Sequence, residues 1–208
     1  MSPLFISFEG IDGCGKSTQL QLLKGHLEAA GHELILPREP GGTEIGEAIR
    51  SILLNKENSA MTARTELLLF LASRAQICQD VIRPALKAGK IVLCDRFMDS
   101  SVAYQGYGRG LGADTVHMLN RFAVQETVPD LTILMDLPVE DAVARIRARG
   151  EEKENRLDVE SIEFMQRTRE GFLALAEAER ERIRVVDARA SIPEIEKAIL
   201  DIVRRTLK

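Results

Sequence analysis

Several features that the sequence lacks exclude whole classes of function. Its three cysteines, Cys14, Cys78 and Cys94, form no CxxC pair and leave an odd number, which argues against a disulfide framework and a zinc site. No secretory leader and no apolar run long enough to span a bilayer are recognisable, so we expect a cytoplasmic protein that does not enter a membrane. The net charge of −4 offers no basic excess to recruit nucleic acid, and any phosphate site must be made positive locally.

The residues that are present are typical of an ordinary globular α/β protein. Of 208 residues, 45% are hydrophobic and 29% are charged, which fits one domain with a substantial core. Apolar and often β-branched runs alternate with longer amphipathic stretches, and these runs read LFISF, ELILP, KIVLCD, LTILMD and RIRVVD. The alternation predicts a parallel sheet covered by helices on both faces. In such a sheet, ligands bind at the carboxyl ends of the strands.

The loop after the first predicted strand has the spacing of a phosphate-binding loop. In GIDGCGKST, at positions 10–18, the outer glycines and the Lys16–Ser17 pair fit G-x-x-x-x-G-K-[ST] between a strand and a helix. Glycines let the backbone N–H groups point at a polyphosphate, Lys16 can reach its β- and γ-phosphates, and the Ser17 hydroxyl can bind Mg²⁺. The alternative is a simple turn that holds no ligand. The predicted contacts with the polyphosphate of a nucleotide are Gly10, Ile11, Asp12, Gly13, Cys14, Gly15, Lys16, Ser17 and Thr18.

The loop after the third predicted strand supplies a second pair of candidate residues. KIVLCDRF places Asp95 at the end of a buried strand and Arg96 directly after it. An aspartate at this position commonly holds Mg²⁺ beside the P-loop hydroxyl of Ser17, and an arginine can clamp a phosphate through two hydrogen bonds. The alternative is an ordinary surface pair that ends the strand. We therefore predict a metal site at Ser17 and Asp95, with Arg96 as a catalytic residue.

Five motifs together resemble bacterial thymidylate kinase, a nucleoside-monophosphate kinase family of the P-loop NTPases. In chain order they are GIDGCGKST, REPGGT at 38–43, LLLFLASRAQ at 67–76, DRF at 95–97 and SSVAYQGYGRG at 100–110. The resemblance covers essentially the whole chain, so we expect one kinase domain over residues 1–208. It implies a five-stranded parallel sheet flanked by helices, a homodimer, and transfer of the γ-phosphoryl group of ATP to dTMP in dTTP biosynthesis.

The resemblance also implies a pocket for the acceptor nucleotide. Asp12 corresponds to a carboxylate near the 3′-hydroxyl of the sugar, Phe70 to an aromatic ring that stacks on thymine, and Arg74 to an arginine that bonds the base edge. A tyrosine under the sugar, here Tyr104, disfavours a 2′-hydroxyl. Without the resemblance, Phe70 would be interpreted as a core residue of an apolar helix. The remaining residues implied in this pocket are Arg38, Glu39, Arg96, Ser101 and Gln105.

A short basic lid, about residues 147–158, completes the prediction. It lies within ARIRARGEEKENRLD, where the alternative is a run of cations stabilised at the C-terminus of a helix. Some members of the family carry an arginine inside the P-loop, but position 13 here is glycine. The resemblance therefore implies closing arginines from the lid, for which Arg149 and Arg156 are the candidates. Asn155 departs from the lid pattern of the family, which leaves the register of the lid open.

Two alternative functions remain open at this stage. A kinase for a different nucleoside monophosphate would share the fold and differ only in the acceptor pocket. A nucleotide-dependent switch would bind a nucleotide without phosphorylating a small molecule. The guanine-reading pattern Asn-Lys-x-Asp is missing, since NKEN at 55–58 lacks the aspartate. For a kinase we expect no general base, because the attacking phosphate oxygen is mostly deprotonated near neutral pH.

Overall fold

The predicted parallel sheet is present. A computed structural model describes residues 3–148 and 161–207. Its five strands all pair in parallel, in the order β2-β3-β1-β4-β5. They are β1 (Leu4–Glu9), β2 (Leu34–Ile35), β3 (Ile91–Asp95), β4 (Leu131–Asp136) and β5 (Ile183–Asp187). The fold prediction is confirmed: β2 is much shorter than its apolar run, and the other strands match theirs to within one residue.

Helices connect the strands and cover the sheet. The α-helices are α1 (Lys16–Ala29), α2 (Glu44–Leu54), α3 (Ala63–Ile77), α4 (Arg83–Lys87), α5 (Met98–Ser101), α6 (Ala113–Val124), α7 (Val139–Ala148), α8 (Ile162–Ala178) and α9 (Ile192–Thr206). A 3₁₀ turn spans Lys56–Asn58, and π-helical segments span Cys78–Ile82 and Val102–Gly108. None of the helices in the described ranges is long and apolar enough to cross a membrane.

The central strand fixes where the site can form. Every residue of β1 is buried, as expected for a strand with neighbours on both sides and helices on both faces. Its carboxyl end runs directly into the glycine-rich loop, and α1 begins at Lys16. Because β3 pairs with β1 in parallel, with Phe8 opposite Asp95, the DRF segment emerges beside that loop. The two motifs predicted from distant parts of the sequence therefore share one edge of the sheet.

Candidate active site

Glycines give the phosphate-binding loop a path that other residues could not follow. Gly10 and Gly13 have φ angles of 135° and 83°, in the region that favours glycine. A Cβ atom on Gly13 would lie 2.7 Å from the carbonyl oxygen of Ala142. An arginine at position 13 would therefore clash with the backbone of α7.

Lys16 and Ser17 occupy the first turn of α1, next to the loop. The ammonium of Lys16 donates to the carbonyl oxygens of Gly10 and Ile11 at 3.0 and 3.1 Å, so it lies across the mouth of the loop. Its Nζ also lies 3.6 Å from the sulfur of Cys14, a buried residue of the loop itself. These are weak, exchangeable partners for a cation. An incoming phosphate can replace them.

The two predicted metal ligands are neighbours in the structure. The hydroxyl of Ser17 donates to Oδ2 of Asp95 at 3.1 Å. Both oxygens face a polar depression formed by the loop, α1 and the end of β3, which is lined by Asp12, Gly13, Gly15, Lys16, Ser17, Thr18, Asp95 and Arg96. Over residues 3–148 and 161–207 there is no group of three or more His, Cys, Asp or Glu side chains arranged to hold a metal. Two adjacent oxygen ligands do fit Mg²⁺, which keeps several of its waters.

Arg96 joins the phosphate-binding loop to a second, deeper pocket. Its φ angle of 68° is unusual for a residue with a side chain, and it turns the guanidinium toward the loop. There the side chain donates to Oδ1 of Asp12 at 2.6 Å and to the carbonyl oxygen of Gly10 at 2.8 Å. The guanidinium also lies 4.9 Å from the centre of the Tyr104 ring. The hydroxyl of Tyr104 in turn donates to Oδ2 of Asp12 at 3.3 Å.

This cluster keeps Asp12 ionised. The surrounding protein displaces water near Asp12 and would raise its pKa, but the positive charges of Arg96 and Lys16 outweigh this and hold that pKa below its ordinary value. The pKa of Tyr104 is raised well above its ordinary value, chiefly by burial. At neutral pH the cluster therefore consists of a carboxylate, a guanidinium and a neutral phenol.

The far end of the deeper pocket is built around Arg74 of α3. This arginine is 1% exposed, and each of its three guanidinium nitrogens has an acceptor within the protein. Nε donates to Oε2 of Glu39 at 2.7 Å, and Nη1 donates to Oγ of Ser101 at 2.7 Å. The other acceptors are Oδ1 of Asn120 and the carbonyl oxygen of Phe97. The predicted bond from Arg74 to the base edge is thus not available from a spare donor in this structure.

Glu39 carries a notable imbalance between its two oxygens. Oε2 meets the guanidinium of Arg74, whereas Oε1 is buried without a hydrogen-bond partner among the described residues. Burial raises the pKa of Glu39 despite the attraction of Arg74. Glu39 also lines the deeper pocket. A buried acceptor at a pocket wall is suited to a ligand or to water.

The structure brings most of the predicted acceptor residues together. Those that line one pocket are Asp12, Glu39, Phe70, Arg74, Arg96, Ser101, Tyr104 and Gln105. Phe70 and Arg74 are one turn apart on α3, as expected. Ser101 ends α5, and Tyr104 and Gln105 lie in the π-helical segment Val102–Gly108. A π-helical segment at such a position is common at functional sites.

Other predicted residues lie elsewhere. Arg38 is exposed and pairs with Glu47 at 3.2 Å, and it is not among the residues that line either depression. Arg145, which precedes the predicted lid, lies on α7 and donates to the carbonyl oxygen of Ala188, so it braces the fold. Arg149 and Arg156 lie outside the described residues, as does most of the predicted lid.

Sequence reasoning missed several residues of the pocket. Glu66, Arg109 and Ser100 line it, and the amide of Asn120 supports Arg74 from α6. Glu66 could have been found, because it is a charged residue in an apolar stretch of α3, four positions before Phe70 and on the same face. Asn120 has no local signal, since only the packing of α6 against α3 brings it to the site.

Fold and site together define a class of protein. A phosphate-binding loop at the carboxyl end of a central parallel strand marks a P-loop nucleotide-binding protein. The adjoining buried pocket is reached from that loop through Asp12 and Arg96, which gives a second substrate a place beside the phosphates. This arrangement is that of a nucleoside-monophosphate kinase.

Comparison with known proteins makes the assignment specific. The sequence profile of the family described as thymidylate kinase matches residues 8–199. A thymidylate kinase from Kosmotoga olearia is 51% identical over 197 residues, covering 95% of this chain and 93% of its own. One from Bacillus velezensis is 45% identical over 208 residues, covering 100% and 98%. The crystal structure of thymidylate kinase from Ehrlichia chaffeensis matches with a TM-score of 0.78 at 32% identity, covering 98% of this chain and 99% of that chain. The chain belongs to the thymidylate kinase family.

Proposed function

We propose how this chain carries out the reaction of its family, the ATP-dependent phosphorylation of dTMP to dTDP. One observation carries the proposal. The cluster of Asp12, Arg96 and Tyr104 connects the phosphate-binding loop with the acceptor pocket, so that a group transferred from one nucleotide to the other would cross it. In phosphoryl transfer the protein contributes mainly positioning and charge neutralisation, which such a cluster supplies.

The donor nucleotide would bind along the loop. Backbone N–H groups of residues 10–18 and the N-terminus of α1 would meet the phosphates of ATP. Lys16 would exchange its present carbonyl partners for phosphate oxygens, and Arg96 would bridge the transferred group and the acceptor phosphate. Arg149 and Arg156 stay candidates for closing over this group, in keeping with the blocked position at Gly13.

The acceptor nucleotide would occupy the deeper pocket. Phe70 would stack on the base, and Tyr104 and Asp12 would border the sugar, with Glu39 offering its unpartnered Oε1. Ser101 and Gln105 would meet the polar edge of the base. Arg74 would act through its contact with Ser101, because its own nitrogens already have acceptors. Arg38 stays a predicted member of the acceptor site, by its place in the REPGGT motif alone.

Magnesium fits the oxygen pair of Ser17 and Asp95. When bound, Mg²⁺ would neutralise negative charge on the phosphates of ATP. The side chains themselves have a positioning role. No residue needs to act as a base, because an oxygen of the acceptor phosphate is already largely deprotonated near neutral pH.

The test is release of ADP in the presence of ATP and Mg²⁺ with a panel of dTMP, dUMP, UMP, dCMP, AMP and dGMP. We expect a strong preference for dTMP, and loss of activity when EDTA removes the metal. Preference for another monophosphate would keep the phosphoryl transfer but refute the pocket assignment. ADP release that no acceptor stimulates would favour a nucleotide-dependent switch.

We also propose that the chain forms a homodimer in the cytoplasm. Large apolar side chains are exposed on two helices that pack together, Leu68 on α3 and Met118 and Phe122 on α6, with Phe122 86% exposed. Such a patch is unusual on a monomer. The cytoplasmic location is supported by the three cysteines, which are all free and buried. Sedimentation analysis should show a dimer, and Phe122→Glu should shift it toward monomer; a monomeric parent protein would refute the dimer.

A further inference from the structure

Glu66 is a buried carboxylate in the wall of the acceptor pocket. It lies on α3, is 1% exposed, and faces two partners from the segment that follows α5. Arg109 approaches both of its oxygens, with Nε 3.1 Å from Oε1 and Nη2 3.2 Å from Oε2. The amide nitrogen of Gln105 donates to Oε1 at 3.0 Å. Arg109 also stacks on Phe164, with its guanidinium 4.6 Å from the centre of the ring, which holds the ion pair in place.

This contact fixes which way the Gln105 amide points. A carboxylate in a two-point ion pair with a guanidinium can only accept hydrogen bonds. The amide must therefore turn its NH₂ group to Glu66, and its carbonyl oxygen lies on the opposite side. None of the described residues donates to that oxygen, which is not one of the buried, unpartnered atoms. Gln105 thus presents an acceptor to the pocket that it lines.

Arg74 fixes the hydrogen-bonding role of Ser101 in the opposite sense, so that Ser101 offers a donor to the pocket where Gln105 offers an acceptor. A guanidinium has no acceptor, so the hydroxyl oxygen of Ser101 must accept from Nη1 of Arg74. The hydroxyl proton is then free to donate in another direction. Ser101 precedes Gln105 by four residues, about one helical turn, and both line the same pocket. The wall therefore offers one donor and one acceptor side by side.

We propose that Glu66 is a positioning residue for base selection, because it locks Gln105 as an acceptor beside the Ser101 donor. A pyrimidine with a ring N–H at position 3 and a carbonyl oxygen at position 4 matches this pair. A cytosine-type base presents an acceptor at position 3 and an amino group at position 4, so it meets both groups with the wrong polarity. The inference rests on the proposed function and adds to it the residues that set the selectivity.

The substitution that tests this role is Glu66→Gln. An amide at position 66 can donate as well as accept, so the amide of Gln105 is free to turn over. The substrates are dTMP, dUMP and 5-methyl-dCMP, where the last differs from dTMP only at positions 3 and 4 of the ring. We expect the ratio of kcat/KM for 5-methyl-dCMP to that for dTMP to rise on the order of tenfold, the size of one hydrogen bond. The ratio of dUMP to dTMP should stay unchanged, since these two share the same edge.

Two further variants separate selection from folding. Glu66→Gln combined with Arg109→Gln leaves no buried charge unpaired, so it should fold even where the single variant does not, and it should show the same change in the ratio. Glu66→Gln combined with Gln105→Glu exchanges the two side chains and again places an acceptor toward the pocket. That exchange should return the ratio toward the parent value.

The outcomes are distinct. A rise in the 5-methyl-dCMP ratio that the exchange reverses supports the proposal. An equal loss for all three substrates, with both ratios unchanged, overturns it and leaves Glu66 a structural role. If the parent protein fails to phosphorylate dTMP, the proposed function itself is wrong, whatever Glu66 does.

Discussion

The proposed site has two ends that hold their charges in different ways. The base end lies around Arg74, and the phosphate end lies at the loop of residues 10–18. At the base end, Arg74, Glu39 and Glu66 are almost fully buried, and their ion pairs come from elements far apart in the sequence. At the phosphate end, the side chain of Asp12 is 54% exposed and Ser17 is open to solvent. There the present partners are loop carbonyls and neighbouring side chains. The base end is thus built before a ligand arrives, whereas the phosphate end has contacts that a ligand can replace.

Because of this difference, we expect substitutions at the two ends to affect stability to different extents. A buried ion pair that loses one member leaves an uncompensated charge in the core, which destabilises the fold. Removal of Arg96 leaves Asp12, whose side chain is half-exposed and within reach of water, so the fold is little affected. Substitutions at the base end should therefore lower stability, and those at the phosphate end should lower turnover.

The largest effect should come from Arg74→Met. It leaves Glu39 buried without its counter-ion and removes the support of Ser101 and Asn120, so we expect a loss of about 3–5 kcal/mol in the free energy of unfolding. Urea denaturation followed by circular dichroism measures it. The matched control is Arg96→Met at the phosphate end, where the loss should be about 1 kcal/mol. Equal losses of unfolding free energy in the two variants would contradict the proposed difference between the two ends.

The next effect concerns turnover. Lys16→Ala removes the cation that we propose meets the β- and γ-phosphates, so kcat should fall about 100- to 1,000-fold, as when one preorganised charge-stabilising donor is lost. The melting temperature should stay close to that of the parent protein. Lys24→Ala, at an exposed lysine later in α1, is the control and should leave kcat unchanged. Near-normal turnover in Lys16→Ala would refute the role of the loop.

The same contrast explains how far the sequence alone could be interpreted. The residues of the phosphate end belong to two short contiguous motifs. Lys16, Ser17 and Asp95 could therefore be predicted from spacing and strand order. The base end is assembled by packing, and its residues were accessible only through the resemblance to a family. Even then the contacts of Arg74 could not be foreseen, because they depend on Asn120 from α6. The π-helical form of residues 102–108 could not be predicted either, since nothing in VAYQGYG distinguishes it from an ordinary helical turn or a loop.

Glu9 connects the two ends, and it gives the smallest of the predicted effects. This last residue of β1 precedes Gly10, and its carboxyl group accepts from the backbone N–H of Phe97 at 2.7 Å and from the hydroxyl of Ser100. Burial, followed by the charge of Asp99, raises the pKa of Glu9 to about 8. The protein thus ties the loop to the DRF segment through a carboxyl group that holds a proton at neutral pH.

The sign of the resulting pH dependence follows from linkage. Because the pKa of Glu9 is higher in the folded protein than in the unfolded chain, its contribution to stability is complete below about pH 4.5 and is lost as the pH rises through about 8. Glu9→Gln mimics the protonated form at every pH. We therefore expect the free energy of unfolding of the parent protein to fall relative to Glu9→Gln, by about 1 kcal/mol between pH 6 and pH 7. Urea denaturation at several pH values measures this difference. Parallel curves would mean that Glu9 is ionised in the folded protein and that its pKa is not raised.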